Sequence, residues 1–395
     1  MEGYVADWLS LLVRWLHVTA GIAWIGASFY FIWLDNHLEP PKSGDPAIRG
    51  EVWSIHGGGF YHNEKFVRGP SAMPETLHWF KWEAYTTWLS GMGLLAIVYW
   101  WDARAYLVDP AVSGITPGQA IAASAALLVL AWIVYDVICR TVRDERLLGG
   151  LVFGLLALAA WGTSQIFSAR ASYMLVGAMI GTIMVWNVFF VIIPGQRRMV
   201  AAVAAGEPVD PEPGLRGKQR SVHNNYLTLP VLFIMTSSHY PMTYGHRHGW
   251  LVLVVLSLAG VLIRHYFNLR HQGRNVLALP VAAGIILAFL AWTIAPTPRP
   301  APAAGAAAAA DVTVAEVHRI VQARCVSCHG VRPTDSSFSA APAGVMFDTE
   351  AQVRAFAARI HERVVVSRTM PLANGTGMTD AERERIGAWF SGGQR

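Results

Sequence analysis

The most specific chemistry in this chain is carried by a short run near its end, Cys325-Val326-Ser327-Cys328-His329. A Cys-x-x-Cys-His run is the attachment site of a c-type haem: two thioethers hold the porphyrin and the adjacent histidine takes the iron. The residues around it agree. Met370-Pro371 follows about forty residues later, in position to supply a thioether sulfur as the second axial ligand and raise the reduction potential. His361 is the rival ligand, but it lies mid-helix in an Arg-rich stretch, so Met370 is the expected one. Residues 312–324 read as an amphipathic helix running into the motif. Thr379–Phe390 reads as a closing helix with an N-cap and Glu382 in capping-box position. A stray zinc or redox Cys-x-x-Cys is the plainer reading, and the agreement of the whole tail weighs against it.

This tail resembles the mono-haem class I cytochrome c family, whose haem ligands fall on Cys325, Cys328, His329 and Met370. The resemblance implies one covalent haem c and a small helical domain over residues 312–395. Ahead of it, residues 296–311 are rich in Pro and Ala and read as a semi-rigid linker that tethers the haem unit at high effective concentration.

The remaining three quarters of the chain are different in kind. Of the 395 residues 53% are hydrophobic and only 14% charged, with a mean hydropathy of +0.35, which excludes an ordinary soluble protein. Apolar stretches at 8–34, 79–101, 118–139, 147–168, 171–194, 226–243, 249–269 and 276–295 predict an all-α, polytopic bundle of about eight membrane-spanning helices over residues 1–295. The sixth is the weakest, because Pro230 and Pro241 bracket it. Arg and Lys concentrate in alternate loops: Lys42, Arg49, Lys65 and Arg68; Arg140, Arg143 and Arg146; Arg197, Arg198, Arg216, Lys218 and Arg220; Arg270 and Arg274. The positive-inside rule makes those loops cytoplasmic and both termini external. That matches the periplasmic side on which bacteria attach c-type haem, and places the chain in a bacterial inner membrane. The net charge of +5 then reflects topology and requires no nucleic-acid partner.

Ionisable groups inside apolar spans are costly, so each is a functional candidate. His17 lies deep in the first span, on a stripe with Arg14, Gly21, Trp24 and Ser28; a packing histidine and a redox ligand are equally open, with His239 its possible partner. A second group gathers near the expected cytoplasmic face. It comprises Trp53 to Asn63 with Gly57-Gly58-Gly59, where the glycines suggest a closely approaching backbone, and His78-Trp79-Phe80-Lys81-Trp82-Glu83. His223-Asn224-Asn225-Tyr226 and Arg264-His265-Tyr266-Phe267-Asn268 complete it, with Asp136 and Asn187 at similar depth. An aromatic interfacial belt accounts for some of these residues, and a buried site for the remainder. Cys139 reads as a buried structural thiol, and His246-Arg247-His248 as a solvated outer loop.

The segments from Trp53 to Asn63 and from Leu77 to Tyr85, with His223–Pro230, Ser238–Pro241 and Ile263–Asn268, resemble the bacterial membrane-bound urate oxidase (urate hydroxylase) family. The resemblance spans essentially the whole chain, since that family fuses an eight-helix membrane domain to a cytochrome c. It implies oxidation of urate to 5-hydroxyisourate, with water as oxygen source and the cytochrome taking electrons for a downstream cytochrome c or terminal oxidase. An anionic planar substrate then calls for a cation (Lys81 or Arg264), stacking rings (Trp79, Trp82, Phe60, Tyr61) and amides (Asn224, Asn225, Asn268). A base is also needed, His78 or His223, and Glu83 joins the catalytic set. Because electrons must cross a ~30 Å core, b-type haem on His17 and His239, with His78 or His265 further in, is a further expectation. Two rival readings are a quinol:cytochrome c oxidoreductase and a non-catalytic electron conduit. Small-residue faces leave room for oligomerisation.

Overall fold

The computed structural model describes residues 2–295, 312–335, 338 and 340–393. The expected linker at 296–311 lies outside the described residues. Every apolar stretch becomes helix: α1 (Glu2–Asn36), α2 (Trp82–Leu94, widening into a π-helical turn over Leu95–Trp100), the short α3 (Ala103–Tyr106), α4 (Pro117–Thr141) and α5 (Glu145–Ser164). Then come α6 (Ala169–Trp186), a second π-helical turn at Asn187–Ile192 leading into α7 (Ile193–Ala204), α8 (Glu212–Ser237), the short α9 (Pro241–Tyr244), α10 (Gly249–His271) and α11 (Ala278–Thr293). Among the described residues five helices are long and apolar enough to cross a membrane: Asp7–Asn36, Pro117–Thr141, Glu145–Ser164, Ala169–Ala204 and Gly249–His271. The other three stretches fall on α2 with its π turn, the second half of α8, and the shorter α11.

Local sequence explains where these helices begin. Thr116 and Gln119 close a capping box on α4 with Pro117 in the first turn, Asp144 caps α5 and Ser168 caps α6. Packing then depends on small residues. A Cβ on Gly260 of α10 would stand 3.2 Å from Leu229 Cβ and 3.5 Å from Pro230 Cδ of α8, so only glycine lets the two helices approach this closely. One turn further along each antiparallel helix, the same approach brings Arg264 to Asn225.

The bundle is apolar outside and polar within. Trp15 (71% exposed) and Trp292 (73%) face outward, while Asp136, Asn187, Arg220, Asn225 and Arg264 are buried. That distribution suits a lipid surround.

One segment departs from the all-α expectation. Residues 48–66 form an antiparallel hairpin, β1 (Ile48–His56) with β2 (Gly59–Phe66), joined by Gly57 and Gly58 at φ of 58° and 82°. Two positive φ values at a two-residue connection define the tight turn that matches strand twist. A Cβ on Gly57 or Gly58 would meet nothing within 4 Å, so the glycines serve the turn, and the expected close backbone approach is corrected. Branched and aromatic residues (Val52, Trp53, Ile55, Phe60, Tyr61) favour strand here. Trp53 stacks on His62 across the ladder with ring centroids 4.3 Å apart, and Lys65 bonds Asp35 at the end of α1.

The C-terminal unit has its own core, built from α12 (Val314–Arg324), α13 (Val326–His329), α14 (Glu350–Ala355), α15 (Ala357–Ile360) and α16 (Asp380–Ser391) around Val317, Val321, Val353, Ile386 and Trp389. Thr379 and Glu382 form the anticipated capping box, and Glu382 also accepts from Arg324 Nε at 3.0 Å, tying α16 to α12.

Candidate functional site

The turn His223–Asn225 of α8 sends its side chains to two sides, and each side meets a buried polar network. On one side His223 Nδ1 lies 2.8 Å from the Tyr135 hydroxyl of α4 and 3.7 Å from Cys139 Sγ. Asn187, at the start of the second π-helical turn, donates Nδ2 to Tyr135 Oη (2.9 Å) and to Asn224 Oδ1 (3.0 Å); Asn224 in turn donates to the Met184 carbonyl at 2.9 Å. Widened π-helical turns recur at functional positions because they redirect one side chain. A buried ion pair closes this side: Arg220 Nη2 donates to Asp136 Oδ1 at 2.8 Å, and the exposed Arg140 bridges the other Asp136 oxygen at 2.7 Å.

On the other side the geometry converges on Asn225. Its Oδ1 accepts from Arg264 Nε at 2.9 Å and from Asn268 Nδ2 at 2.9 Å. The Arg264 guanidinium lies 3.9 Å from the ring centroid of Phe29 on α1. Arg264 forms no ion pair among the described residues, although it is only 5% exposed. Asn225 Nδ2, Arg264 Nη2 and Asn268 Oδ1 are all buried without a hydrogen-bond partner. A buried cation with no carboxylate, flanked by one orphaned amide donor and one orphaned acceptor, is a demand for an anion with alternating donors and acceptors. Nearby, Tyr226 Oη and His265 Nδ1 are 2.6 Å apart.

Arg264, Asn225 and Asn268, singled out from sequence as substrate contacts, are thus brought together. The other residues singled out are distributed differently. Lys81 sits over the rings of Trp79 (5.9 Å) and Trp82 (5.6 Å), His78 is exposed edge-on to Phe80, and Glu83 opens α2. Phe60 and Tyr61 lie on the hairpin, 78% and 53% exposed. The stacking set is therefore spread over the hairpin and the entry to α2, while the ring that lies against Arg264 is Phe29. Sequence reading missed Phe29 because one aromatic among several on an apolar helix, beside Tyr30 and Phe31, carries no local signal of its own. Tyr135 was missed for the same reason.

His17 Nδ1 donates to the Thr87 carbonyl (2.9 Å) and lies 3.1 Å from Ser90 Oγ, with its ring against Gly91, where an added Cβ would come within 3.0 Å. His239 is exposed at the far end of α8.

In the C-terminal unit the residues present fit a covalent haem. His329 Nδ1 pairs with the Val345 carbonyl at 2.9 Å, which leaves Nε2 as the ligand atom, and burial lowers its pKa and keeps the imidazole neutral against the opposing pull of that carbonyl. Burial pushes the free Cys325 thiol up to about 12 and the Cys328 thiol up to about 11, so both are neutral at physiological pH. Met370 packs against the same apolar core, whereas His361 stacks flat on Phe390 with centroids 4.2 Å apart.

Together these features define a helical bundle suited to a membrane, with a buried polar centre prepared for an anion. The chain belongs to the urate oxidase N-terminal family, whose model matches residues 3–295. No curated protein and no solved structure matches the chain.

Proposed function

We propose that the chain oxidises urate to 5-hydroxyisourate at the Arg264 centre and delivers the electrons to a covalent haem c in its C-terminal unit. The uncompensated charge of Arg264 carries this reading. Urate is a planar anion at neutral pH; Arg264 neutralises it, and Asn225 Nδ2 and Asn268 Oδ1 meet its alternating N–H and C=O edges. Urate plus water gives 5-hydroxyisourate, two protons and two electrons. His223, oriented by Tyr135, which Asn187 ties to Asn224, is better placed as the proton acceptor than the exposed His78, and Arg220 over the Tyr135 ring continues the network through Asp136 to the exposed Arg140.

A haem held by Cys325 and Cys328 supplies one-electron acceptor chemistry. His329, through Nε2, and Met370, through its sulfur, would hold the iron. The same reading includes eight spans in a bacterial inner membrane, both termini periplasmic, and a cytochrome c or terminal oxidase as external acceptor. It also includes a b-type haem between the two ends of the bundle. His17 and His265 each engage Nδ1 and keep Nε2 for iron, and His239 is a third candidate ligand. Pyridine haemochrome analysis that finds only haem c in urate-active protein removes this last element.

Anaerobic addition of urate to oxidised, purified protein tests the whole. The c-type α-band is expected to rise as 5-hydroxyisourate forms. A haem that ignores urate but is reduced promptly by a quinol overturns the substrate and makes the bundle a quinol-side conduit.

A further inference from the structure

The C-terminal unit rests on the end of the bundle opposite the Arg264 centre, and the contacts select one of its faces. A Cβ on Gly245, just after α9, would stand 3.1 Å from Thr369 Cγ2 and 3.2 Å from the Ser367 carbonyl. Arg363 lies beside Tyr244. The short α3 packs on the turn Leu372–Asn374. The segments facing the bundle therefore flank Met370 on both sides.

Beneath this contact lies an unusual concentration of tyrosine. Tyr99 and Tyr106 are 6.1 Å apart between centroids, as are Tyr173 and Tyr244. Arg170 lies 5.7 Å from the Tyr106 ring centroid. The Tyr173 hydroxyl is fixed by the Gly249 carbonyl at 2.6 Å. The bundle's apolar packing does not require four tyrosines at one end, and nothing in the purine centre uses them.

We propose that this end of the bundle is the docking port of the C-terminal unit, and that Tyr106, with Tyr99, Tyr244 and Tyr173 behind it, is the route by which electrons enter the unit along its Met370 edge. The electron route rests on the haem reading above. Two electrons leave each urate and pass in two single steps, each converting ferric to ferrous iron, with an external one-electron acceptor reoxidising it in between. The tyrosines conduct by tunnelling and are not themselves oxidised in net, so no proton crosses the port. Arg170 and Arg363 hold the rings in register.

Two measurements on the full-length haem-loaded protein test this. First, Tyr244→Cys with Arg363→Cys is treated with a short bis-maleimide in the absence of substrate, and the linked peptides are read by mass spectrometry. An intramolecular cross-link absent from both single variants is expected; its absence overturns the docking. Second, Tyr106→Leu is mixed anaerobically with urate in a stopped-flow instrument. Haem reduction is expected to slow at least tenfold while the optical spectrum, midpoint potential and dithionite reduction stay unchanged. An unaltered rate overturns the route. If urate fails to reduce even the wild-type haem, the purine reading falls, and the cross-link still decides the docking because it needs no substrate.

Discussion

Arg220 and Arg264 are buried to nearly the same degree, 3% and 5% exposed, in networks joined to the same turn of α8. Arg220 is neutralised by Asp136, which also binds Arg140. Arg264 has an amide oxygen and an aromatic face, with no carboxylate among the described residues. A buried guanidinium is expensive unless its charge is met. The difference therefore separates a charge that the fold has closed for itself from one it holds open for a ligand.

Breaking the closed pair has the largest expected effect. Asp136→Asn leaves Arg220 buried and uncompensated, and should destabilise the detergent-solubilised protein by about 3–5 kcal/mol in thermal unfolding. Replacing both partners together, Asp136→Leu with Arg220→Met, should recover most of that loss, because an apolar pair of similar volume removes the desolvation problem. A double variant as unstable as Asp136→Asn would mean that the network has a role beyond neutralising Arg220.

The open centre should respond in the opposite sense. Arg264→Gln relieves an unpaired charge, so stability should hold or rise, while kcat/KM for urate drops by roughly 30- to 1000-fold, the equivalent of about 2–4 kcal/mol. Steady-state kinetics beside a melting curve reads both, and unchanged kinetics would place the substrate elsewhere. Asn268→Ala removes one neutral hydrogen-bonding group and should cost about 1–2 kcal/mol in the same ratio. Lys81→Met is the control for the cluster at the entry to α2, with an expected change of about twofold or less, since the half-buried Lys81 lies over Trp79 and Trp82 and a charge near the surface contributes little. A large loss there would move the substrate to the Trp79–Trp82 rings.

The smallest effect belongs to the C-terminal unit, outside the contrast between the two arginines. Burial pushes the Glu382 carboxyl up, but the Thr379 backbone N–H and Arg324 outweigh it and hold its pKa below the ordinary carboxylate value. A depressed acid stabilises the fold above its unfolded pKa and loses that contribution as pH falls through the folded one. The unit should therefore lose a modest increment of thermal stability on acidification through the carboxylate range, and Glu382→Gln should flatten that slope.

How much of this was readable in advance varied with the range of the interactions. The C-terminal helices were legible because Thr379, Glu382 and Cys325–His329 act within a few residues of one another. The hairpin was also written locally, in Gly57-Gly58 between alternating branched and aromatic residues, but an apolar context drew attention to helices. Arg264, Asn225 and Asn268 were legible as residue types too polar for their surroundings. Their convergence on one oxygen was not, because it depends on how closely α8 and α10 approach at Gly260 and Pro230. Lys81 and His78 carried an equally promising local pattern, yet the fold leaves them near the surface.

By itself, then, the sequence determined the helical bundle, the helix starts of the C-terminal unit and its Cys-x-x-Cys-His spacing, since hydropathy, capping and a pentapeptide spacing are properties of neighbouring residues. Only the tertiary structure decided which arginine is neutralised and which is left charged. It also decided which ring lies against the charged one and which edge of the C-terminal unit faces the tyrosines. Those outcomes depend on side chains tens to hundreds of positions apart, and only helix packing brings them within hydrogen-bonding distance.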